Sequence, residues 1–329
     1  MAEISALILT ASPSQPLAGA AVTRAWSLIP EGLRLGEQWL ADQIAWEGRF
    51  RSEDAAHAKA LGLGITRGLK GQPIDVNVVP TTGRRKALLI ADMESTIIEQ
   101  EMLDELGREA GLGDRIADIT ERAMRGELDF EASLHERVAL LEGLDEGAFD
   151  RVYDKIQLTP GVPIMVMTAQ EHLDEIGLIS GGFTQITDRL AEEYGIKREF
   201  TAANTLEVVD GRLTGRVTGP VIDRAAKATK LREFAARAGI PMDRTIAIGD
   251  GANDLDMIKA AGLGIAFDAK QVVRDAAPAA ITRRDMTAVL YIRGIPQSAH
   301  RTSGEYGKIG AWNSGSGRRP SVTRGPSIG

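Results

Sequence analysis

Two carboxylates follow an apolar run in the segment ADMESTIIE at residues 91–99, where they can do chemistry. Asp92, at the end of a predicted buried strand, can act as a nucleophile or a metal ligand, and Glu94 can move a proton. The same two acids have an ordinary alternative role, which is to cap the helix that follows. The residue types therefore indicate nucleophilic and acid–base chemistry, with a helix cap as the alternative.

A second acidic segment, IAIGDGANDLDM at 246–257, places Asp250 and Asp254 beside glycines. Glycine lets the backbone approach a ligand closely, and Mg²⁺ prefers carboxylates, water and phosphate oxygens as ligands. The spacing lacks the closing Glu of a calcium-binding EF-hand loop. The segment therefore predicts a Mg²⁺ site beside a phosphate group.

Two further segments can hold a phosphate group. The turn SGGF at 180–183 offers a hydroxyl group and the backbone N–H groups of two glycines, which can bind phosphate oxygens. Lys227 opens a helix in RAAKATKL at 224–231, and its ammonium group can neutralise phosphate charge. Taken singly, each of these two signals is weak, because both are usually a turn or a solvated surface.

The segments that carry chemistry lie at the ends of apolar runs and between predicted helices. Runs without polar alternation are typical of strands that are buried on both faces of a parallel sheet. Strands that alternate with helices predict an α/β doubly wound parallel sheet, whose chemistry collects at the carboxyl ends of the strands. The runs are ALLIAD (87–92), GLISGG (177–182), TIAIGDG (245–251) and GLGIAFD (262–268).

The chain divides into four regions by the texture of its sequence. Residues 1–85 predict a small α+β domain, and residues 86–98 with 157–294 predict the doubly wound core. The helix-rich interval 99–156 predicts a cap inserted just after the first core strand. Residues 295–329 are rich in Gly, Ser and basic side chains, which predicts a disordered tail.

Composition excludes several classes of protein. The 329 residues contain no Cys, which excludes disulfides, a thiol nucleophile and Cys-ligated metals. The net charge of -7 argues against nucleic-acid binding, and no apolar run approaches the length of a membrane span. The short apolar stretch at the N-terminus lacks the basic residues of a signal peptide. We predict a soluble, cytoplasmic protein, and the sequence does not predict its oligomeric state.

Together and in this order, the motifs resemble those of the haloacid dehalogenase superfamily, and most closely those of its phosphoserine phosphatases. The resemblance covers about residues 85–294 and a segment like the extra N-terminal domain of some members. It implies a doubly wound core with an inserted helical cap, and Mg²⁺-dependent hydrolysis of O-phospho-L-serine to serine and phosphate, the last step of serine biosynthesis. The stretches that carry it are AMRGELDFEASLHERVALLEGL (123–144), LTPG (158–161), SGGFT (180–184) and GDGANDLDM (249–257).

The resemblance implies a role for each matching residue. Asp92 attacks phosphorus to form an aspartyl-phosphate, and Glu94 protonates the departing serine oxygen before it activates water. Mg²⁺ is held by Asp92, Asp250 and the backbone carbonyl group of Glu94, with Asp254 supporting or ligating it. The implied substrate contacts are Ser180, Gly181, Lys227 and Asn253 around the phosphoryl group, Glu101 at the amino group, Arg137 at the carboxylate, and Met124 and Phe130 as apolar residues that close over the site.

Two features depart from the family pattern. The family has Asp where this chain has Glu94, whose side chain is longer by one methylene group. Misplacing a catalytic group by about 1 Å can cost on the order of 10²-fold in rate. We therefore expect reduced rather than absent activity. Thr168 and Glu171 form a capping-box pattern, which predicts that a short helix begins there. That helix leaves only about Gly177–Ile179 for the strand that supports Ser180.

Three functions remain open at this point. We predict an active phosphoserine phosphatase. The alternatives are a catalytically impaired relative that binds phosphoserine or a partner without turnover, and a superfamily phosphatase for another small phosphate ester. For Arg137, the alternative to substrate binding is an ordinary ion pair on a helix surface.

Overall fold

The computed structural model describes residues 3–172 and 175–301. Within them the chain forms one four-stranded and one seven-stranded sheet, each covered by helices. Residues 302–329 of the predicted tail lie outside the described residues. In the described part of the chain, no helix is long and apolar enough to cross a membrane.

The N-terminal unit is an antiparallel sheet with two helices. Its strands lie in the order β2-β3-β1-β4. Its small core packs Leu7 and Leu9 of the central strand against Trp46 and Phe50, which are almost completely buried. The elements are β1 (Glu3–Thr10), α1 (Gly19–Ser27), β2 (Arg34–Ala41), β3 (Ala45–Ser52), α2 (Ala55–Gly68) and β4 (Asp75–Pro80).

The second sheet is parallel except for its last strand, and its order is β11-β10-β9-β5-β6-β7-β8. Its central strand has the sequence LLIA and is buried along its whole length, as a strand covered on both faces must be. The strands are β5 (Leu88–Ala91), β6 (Glu175–Phe183), β7 (Thr201–Val209), β8 (Arg212–Thr218), β9 (Thr245–Gly249), β10 (Leu263–Phe267) and β11 (Ala279–Ile281). The predicted α/β doubly wound core is confirmed.

Helices connect these strands, and those between β5 and β6 in the sequence build a separate helical layer. Four of them, α3 to α6, follow the first core strand, where the sequence predicts a helical cap. The helices are α3 (Met102–Glu109), α4 (Gly113–Met124), α5 (Phe130–Ala139), α6 (Ala148–Tyr153), α7 (Val162–His172), α8 (Thr184–Glu193), α9 (Arg224–Arg237), α10 (Leu255–Ala260), α11 (Gln271–Ala276) and α12 (Ala288–Ile292).

The expectation of a short strand below Ser180 is wrong. Helix α7 begins at Val162, and β6 spans nine residues from Glu175 to Phe183. Thr168 lies in the middle of the helix and is buried, and its hydroxyl group accepts a hydrogen bond from the backbone N–H of Arg301 at 2.9 Å. The hydroxyl group therefore serves a tertiary contact and does not begin a helix.

The sequence analysis also missed a hairpin at the edge of the core sheet. Strands β7 and β8 pair antiparallel around Asp210 and Gly211, both of which have positive φ. Asp-Gly between two strand-like runs is a strong hairpin signal, because both turn positions require this conformation. That dipeptide would have located the hairpin.

Buried polar side chains join the N-terminal unit to the core. Asn77 on β4 donates from Nδ2 to the Ala280 carbonyl oxygen at 2.9 Å and accepts from the Ala280 N–H at 2.8 Å. Asp75 accepts from the Thr282 N–H at 2.8 Å and the Thr282 hydroxyl group at 2.6 Å. These contacts cover the edge strand β11 of the core sheet.

Candidate active site

The carboxyl ends of three neighbouring core strands meet at one edge of the sheet. Strand β5 delivers Asp92, β9 delivers Asp250, and β6 ends in the turn that holds Ser180. Because β5 lies between β6 and β9, Asp92 lies at the centre of this arrangement. The sheet order therefore brings together segments that are far apart in sequence, as the doubly wound fold requires.

Three carboxylates form an acidic cluster at this edge. Asp92, Asp250 and Asp254 each offer an oxygen atom, and these atoms lie within 4.8 Å of one another. Asp92 and Asp254 are buried, whereas Asp250 is partly exposed. Burial and the charge of Asp254 raise the pKa of Asp250 to about 6. Converging carboxylate oxygens of this kind fit a hard divalent cation.

Lys227 is the cation that this acidic cluster contacts. Its Nζ donates to Asp92 Oδ2 at 2.5 Å and to Asp254 Oδ1 at 2.7 Å, and its side chain is 1% exposed. Burial lowers the pKa of Lys227, but the charges of Asp92 and Asp254 outweigh this and raise the pKa above its usual value. The ammonium group is therefore held charged below the cleft.

The turn after β5 makes hydrogen bonds to three of the predicted acids, Asp92, Glu101 and Asp250. Asp92 Oδ1 accepts from the Met93 N–H at 2.7 Å, and Ser95 adopts a left-handed φ of 53°. Ser95 Oγ donates to Glu101 Oε1 at 2.6 Å, and Thr96 Oγ1 donates to Asp250 Oδ1 at 3.3 Å. Side chains of this turn thus connect the segment that follows Asp92 both to the Asp250 loop and to the start of α3.

Glu94 reaches the first residue of α3. Its Oε1 accepts from the Met102 N–H at 2.7 Å, and a Cβ placed on Gly182 would lie 2.7 Å from its carboxyl carbon. A side chain at 182 would therefore displace the Glu94 carboxyl group from its present position. Burial and the charge of Glu101 raise the pKa of Glu94 to about 8, which leaves the carboxyl group protonated at neutral pH.

The Ser-Gly-Gly turn closes the other side of the arrangement. Ser180 is completely buried, and its Oγ accepts from the Gly182 N–H at 3.0 Å. The pairing of β6 with β7 is irregular between Ile179 and Phe183, so the turn bulges out of the sheet. Ser180, like Lys227 and Asp254, lies below the cleft and does not line it.

A cleft of about 120 Å³ opens above these groups. The cleft lies between two parts of the chain: core loops provide Asp92, Glu94 and Asp250, and the helical layer provides Phe130 and Arg137. The residues that line it are Asp92, Glu94, Glu101, Leu103, Phe130, Leu134, Arg137, Gly181, Gly182, Phe183, Asp250 and Asn253.

Arg137 faces the cleft. Its Nε donates to the Ser133 carbonyl oxygen on its own helix at 3.2 Å. No ion pair of Arg137 within 4 Å occurs among residues 3–172 and 175–301, although Glu136 on the same helix pairs with Arg122 at 2.9 Å. Burial lowers the pKa of Arg137, and the nearby charges of Asp104 and Glu94 oppose this. The surface ion pair considered for Arg137 is therefore not what the structure contains.

The structure brings most of the predicted site residues together and leaves one outside. Phe130 lines the cleft with its ring 3.5 Å from where a Cβ on Gly181 would lie, but Met124 is 73% exposed at the end of α4 and does not line it. Gly126, with a φ of 79°, turns the chain after α4. The role assigned to Met124 as a residue closing over the site has no support in this arrangement.

Sequence reasoning missed several residues of the site. Leu103 and Leu134 line the cleft, and the hydroxyl groups of Ser95 and Thr96 bond two of the predicted acids. The sequence could not identify the two leucines, because apolar residues at helical spacing are typical of ordinary core positions. The two hydroxyl residues stand next to Glu94 in sequence, and that adjacency was the signal for them.

Comparisons with known proteins agree with this geometry. The family model for haloacid dehalogenase-like hydrolases matches residues 89–259. A phosphoserine phosphatase of Streptomyces coelicolor is 46% identical over 248 residues, which are 75% of this chain and 57% of the relative. A phosphoserine phosphatase of Streptococcus thermophilus is 49% identical over 207 residues, which are 63% of this chain and 95% of the relative.

A solved structure of a phospho-aspartyl intermediate analogue of phosphoserine phosphatase is also similar. It is 38% identical, has a TM-score of 0.58, and covers 63% of this chain and 98% of its own. The chain thus spans little more than half of the Streptomyces relative but nearly all of the Streptococcus one. The resemblance to the haloacid dehalogenase superfamily inferred from the motifs is confirmed, together with the doubly wound fold that it implies.

Proposed function

Since this chain belongs to the haloacid dehalogenase-like hydrolase family, we propose that it is a Mg²⁺-dependent phosphatase that hydrolyses O-phospho-L-serine to L-serine and phosphate. One observation carries the proposal. Asp92 lies at the centre of a sheet edge that is lined by acids and a buried lysine, directly below a cleft that also presents Arg137 and Glu101. That cleft can accept a phosphate ester bearing both an amino group and a carboxylate.

The acidic cluster fits the metal that this chemistry needs. Asp92, Asp250 and Asp254 would hold Mg²⁺, because their oxygen atoms converge and phosphate oxygens and water can complete the ligands. When bound, the ion would supply positive charge that stabilises the transferring phosphoryl group. The remaining chemistry falls to side chains of this chain.

In the first step an Asp92 oxygen attacks phosphorus, and the bond from phosphorus to the serine oxygen breaks. Lys227 lies 2.5 Å from Asp92 Oδ2 and can neutralise the charge of the transferring group. Glu94, whose raised pKa of about 8 leaves it protonated at neutral pH, gives its proton to the departing serine oxygen. The products are free serine and a phosphoryl group on Asp92.

In the second step water replaces Asp92 on phosphorus. Glu94, now ionised, takes a proton from the attacking water, and the bond from phosphorus to the Asp92 oxygen breaks. Phosphate leaves, and Asp92 and Glu94 regain their starting protonation states. The Ser-Gly-Gly turn and Asn253 would bind phosphoryl oxygens in both steps.

Substrate choice would rest on two charges above the acidic cluster. Arg137 has no carboxylate partner in the described parts of the chain, and its planar guanidinium group suits bidentate contact with a carboxylate. Glu101, at the mouth of the cleft, would pair with the amino group. Phe130 and Leu134 would cover the short carbon chain.

One observation favours a second candidate, an impaired relative that binds phosphoserine without turnover. The Glu94 carboxyl group accepts a hydrogen bond from the Met102 N–H at 2.7 Å, so the longer side chain is held at the start of α3. If it stays there with substrate bound, proton transfer fails while binding persists. Release of phosphate distinguishes the two candidates.

The test is phosphate release by wild-type protein with Mg²⁺ from three monoesters: L-phosphoserine, phosphoethanolamine, which lacks the carboxylate, and phosphoglycolate, which lacks the amino group. We expect the highest kcat/KM with phosphoserine. Arg137→Met should lower that value roughly 10- to 100-fold, as expected for losing a charged hydrogen bond, and should leave phosphoethanolamine unaffected.

The matched control is Arg122→Met, which removes a partly buried arginine from the neighbouring helix and should leave all three rates unchanged. Folded wild-type protein that binds phosphoserine without releasing phosphate would favour the impaired relative. Equal rates with all three esters would favour a phosphatase for another substrate.

A further inference from the structure

Asn204 lies outside every motif identified above and is almost completely buried, with 1% exposure. It is on β7, which pairs with β6 below the Ser-Gly-Gly turn. Its Nδ2 donates to the Gly181 carbonyl oxygen at 2.7 Å, and its Oδ1 accepts from the Ile222 N–H at 2.8 Å. A single amide side chain thus bonds two separate loops.

The first of these bonds fixes one peptide group of the Ser-Gly-Gly turn. The Gly181 carbonyl group and the Gly182 N–H belong to the same planar peptide unit. Asn204 donates to the carbonyl oxygen of this peptide unit, and Ser180 Oγ accepts from the N–H of the same unit at 3.0 Å. Two glycines carry no side chains to fix a turn, so these two contacts set its orientation.

The second bond fixes the start of α9. Ile222 directly precedes Asp223, the N-cap residue, whose side chain accepts from the Ala226 N–H at 2.7 Å. The next turn of that helix carries Lys227, which reaches Asp92 and Asp254. The bond from Asn204 therefore anchors the backbone one residue before the N-cap of the helix that carries this ammonium group.

We propose that Asn204 is a positioning residue that holds the Ser-Gly-Gly turn and the Lys227 helix at the spacing that a phosphoryl group requires. This inference rests on the proposed function, because it treats both elements as phosphoryl-binding. Asn204 itself lies behind the turn and touches no substrate. Its amide group suits this task because one end donates and the other accepts.

The chain supplies a matched control in Asn77. That residue is 2% exposed, and its amide group also bonds one backbone carbonyl oxygen and one backbone N–H. Those bonds join β4 to β11 and lie outside the cleft. Asn77→Ala and Asn204→Ala therefore remove the same chemical groups from equally buried positions.

The experiment measures binding of inorganic phosphate, with Mg²⁺ present, by titration calorimetry, which requires no turnover. We expect wild-type protein and Asn77→Ala to bind phosphate equally, and Asn204→Ala to bind at least about 10-fold more weakly. With phosphoserine, kcat/KM should fall about 10- to 100-fold in Asn204→Ala only. A purely structural role would lower the folded fraction of both variants and leave the phosphate affinity of folded protein unchanged.

Asn204→Asp distinguishes the contributions of the two hydrogen bonds, and it replaces the alanine variant in the experiment if that variant does not fold. Its carboxylate can still accept from the Ile222 N–H but has no donor for the Gly181 carbonyl oxygen, so phosphate affinity should again fall. Wild-type affinity in either folded Asn204 variant overturns the inference, as does wild-type protein that binds no phosphate. Wild-type protein that binds phosphate but does not hydrolyse phosphoserine contradicts only the proposed function.

Discussion

Two of the places where the molecule buries charged side chains balance that charge differently. Where the N-terminal unit meets the core, Arg84 and Glu47 form an ion pair with side chains that are 8% and 4% exposed. Arg84 also donates to the Tyr291 carbonyl oxygen at 2.9 Å and to that of Ile292. We call this set the junction pair. Its charges cancel, and each nitrogen of the guanidinium group has an acceptor.

At the sheet edge around Asp92 the charges do not cancel. Lys227 contacts two carboxylates, Asp250 lies beside them, and Glu94 and Glu101 add further acidic groups. Burying an excess of one charge costs stability, and sites that do so are commonly functional. We infer that the junction pair holds the chain together and that the acidic cluster receives a ligand.

The largest difference between the two regions should be seen in activity. Asp92→Asn removes the proposed nucleophile, and we expect phosphate release from phosphoserine to fall at least about 10³-fold. Asp75→Asn changes an equally buried carboxylate near the junction and should leave the rate within about twofold. Steady-state phosphate assays on both variants check this, and equal losses would remove the distinction between the regions.

The junction pair should dominate stability. Arg84→Met leaves Glu47 buried without its main partner, so the free energy of unfolding should fall by about 3–5 kcal/mol. Arg49 lies 3.9 Å from the same Glu47 but is 55% exposed, and Arg49→Met should cost at most about 1 kcal/mol. Denaturant unfolding compares the two, and similar losses would show that burial does not decide the effect.

Addition of Mg²⁺ should stabilise the folded protein, and this gain should depend on the acidic cluster and not on the junction pair. Mg²⁺ at 100 times its Kd should raise the free energy of unfolding by about 2.7 kcal/mol, and a chelator should reverse this. Asp250→Asn removes one carboxylate and should abolish the gain, whereas Arg84→Met should retain it. Thermal unfolding with and without Mg²⁺ gives the measurement, and a gain that survives in Asp250→Asn would place the ion elsewhere.

The smallest expected effect concerns Glu94. Glu94→Asp shortens the side chain and releases it from the Met102 N–H, so the carboxyl group returns towards the reacting atoms. We expect kcat to rise about 10-fold. Glu94→Gln, which keeps the length but cannot exchange protons, is the control and should lower kcat. A fall in kcat with Glu94→Asp would show that this chain has adapted to the longer side chain.

The sequence predicted the acidic groups because each follows an apolar run, and a parallel sheet forces such ends together. It could not predict that Ser95 takes a left-handed conformation or that Glu94 reaches the start of α3, since both depend on packing. Thr168 misled the reading of α7 because a local capping pattern cannot reveal that the hydroxyl group bonds Arg301. The exposure of Met124 at the end of α4 likewise depends on packing that the sequence does not reveal.

Asp92 is the group that we propose attacks phosphorus. The most direct test mixes wild-type protein with phosphoserine and Mg²⁺, quenches with acid within one turnover, and maps phosphoryl groups on peptides by mass spectrometry. We predict a phosphoryl group on Asp92, removed by hydroxylamine and absent from Asp92→Asn. Turnover of phosphoserine with no phosphoryl group on Asp92 would contradict this account.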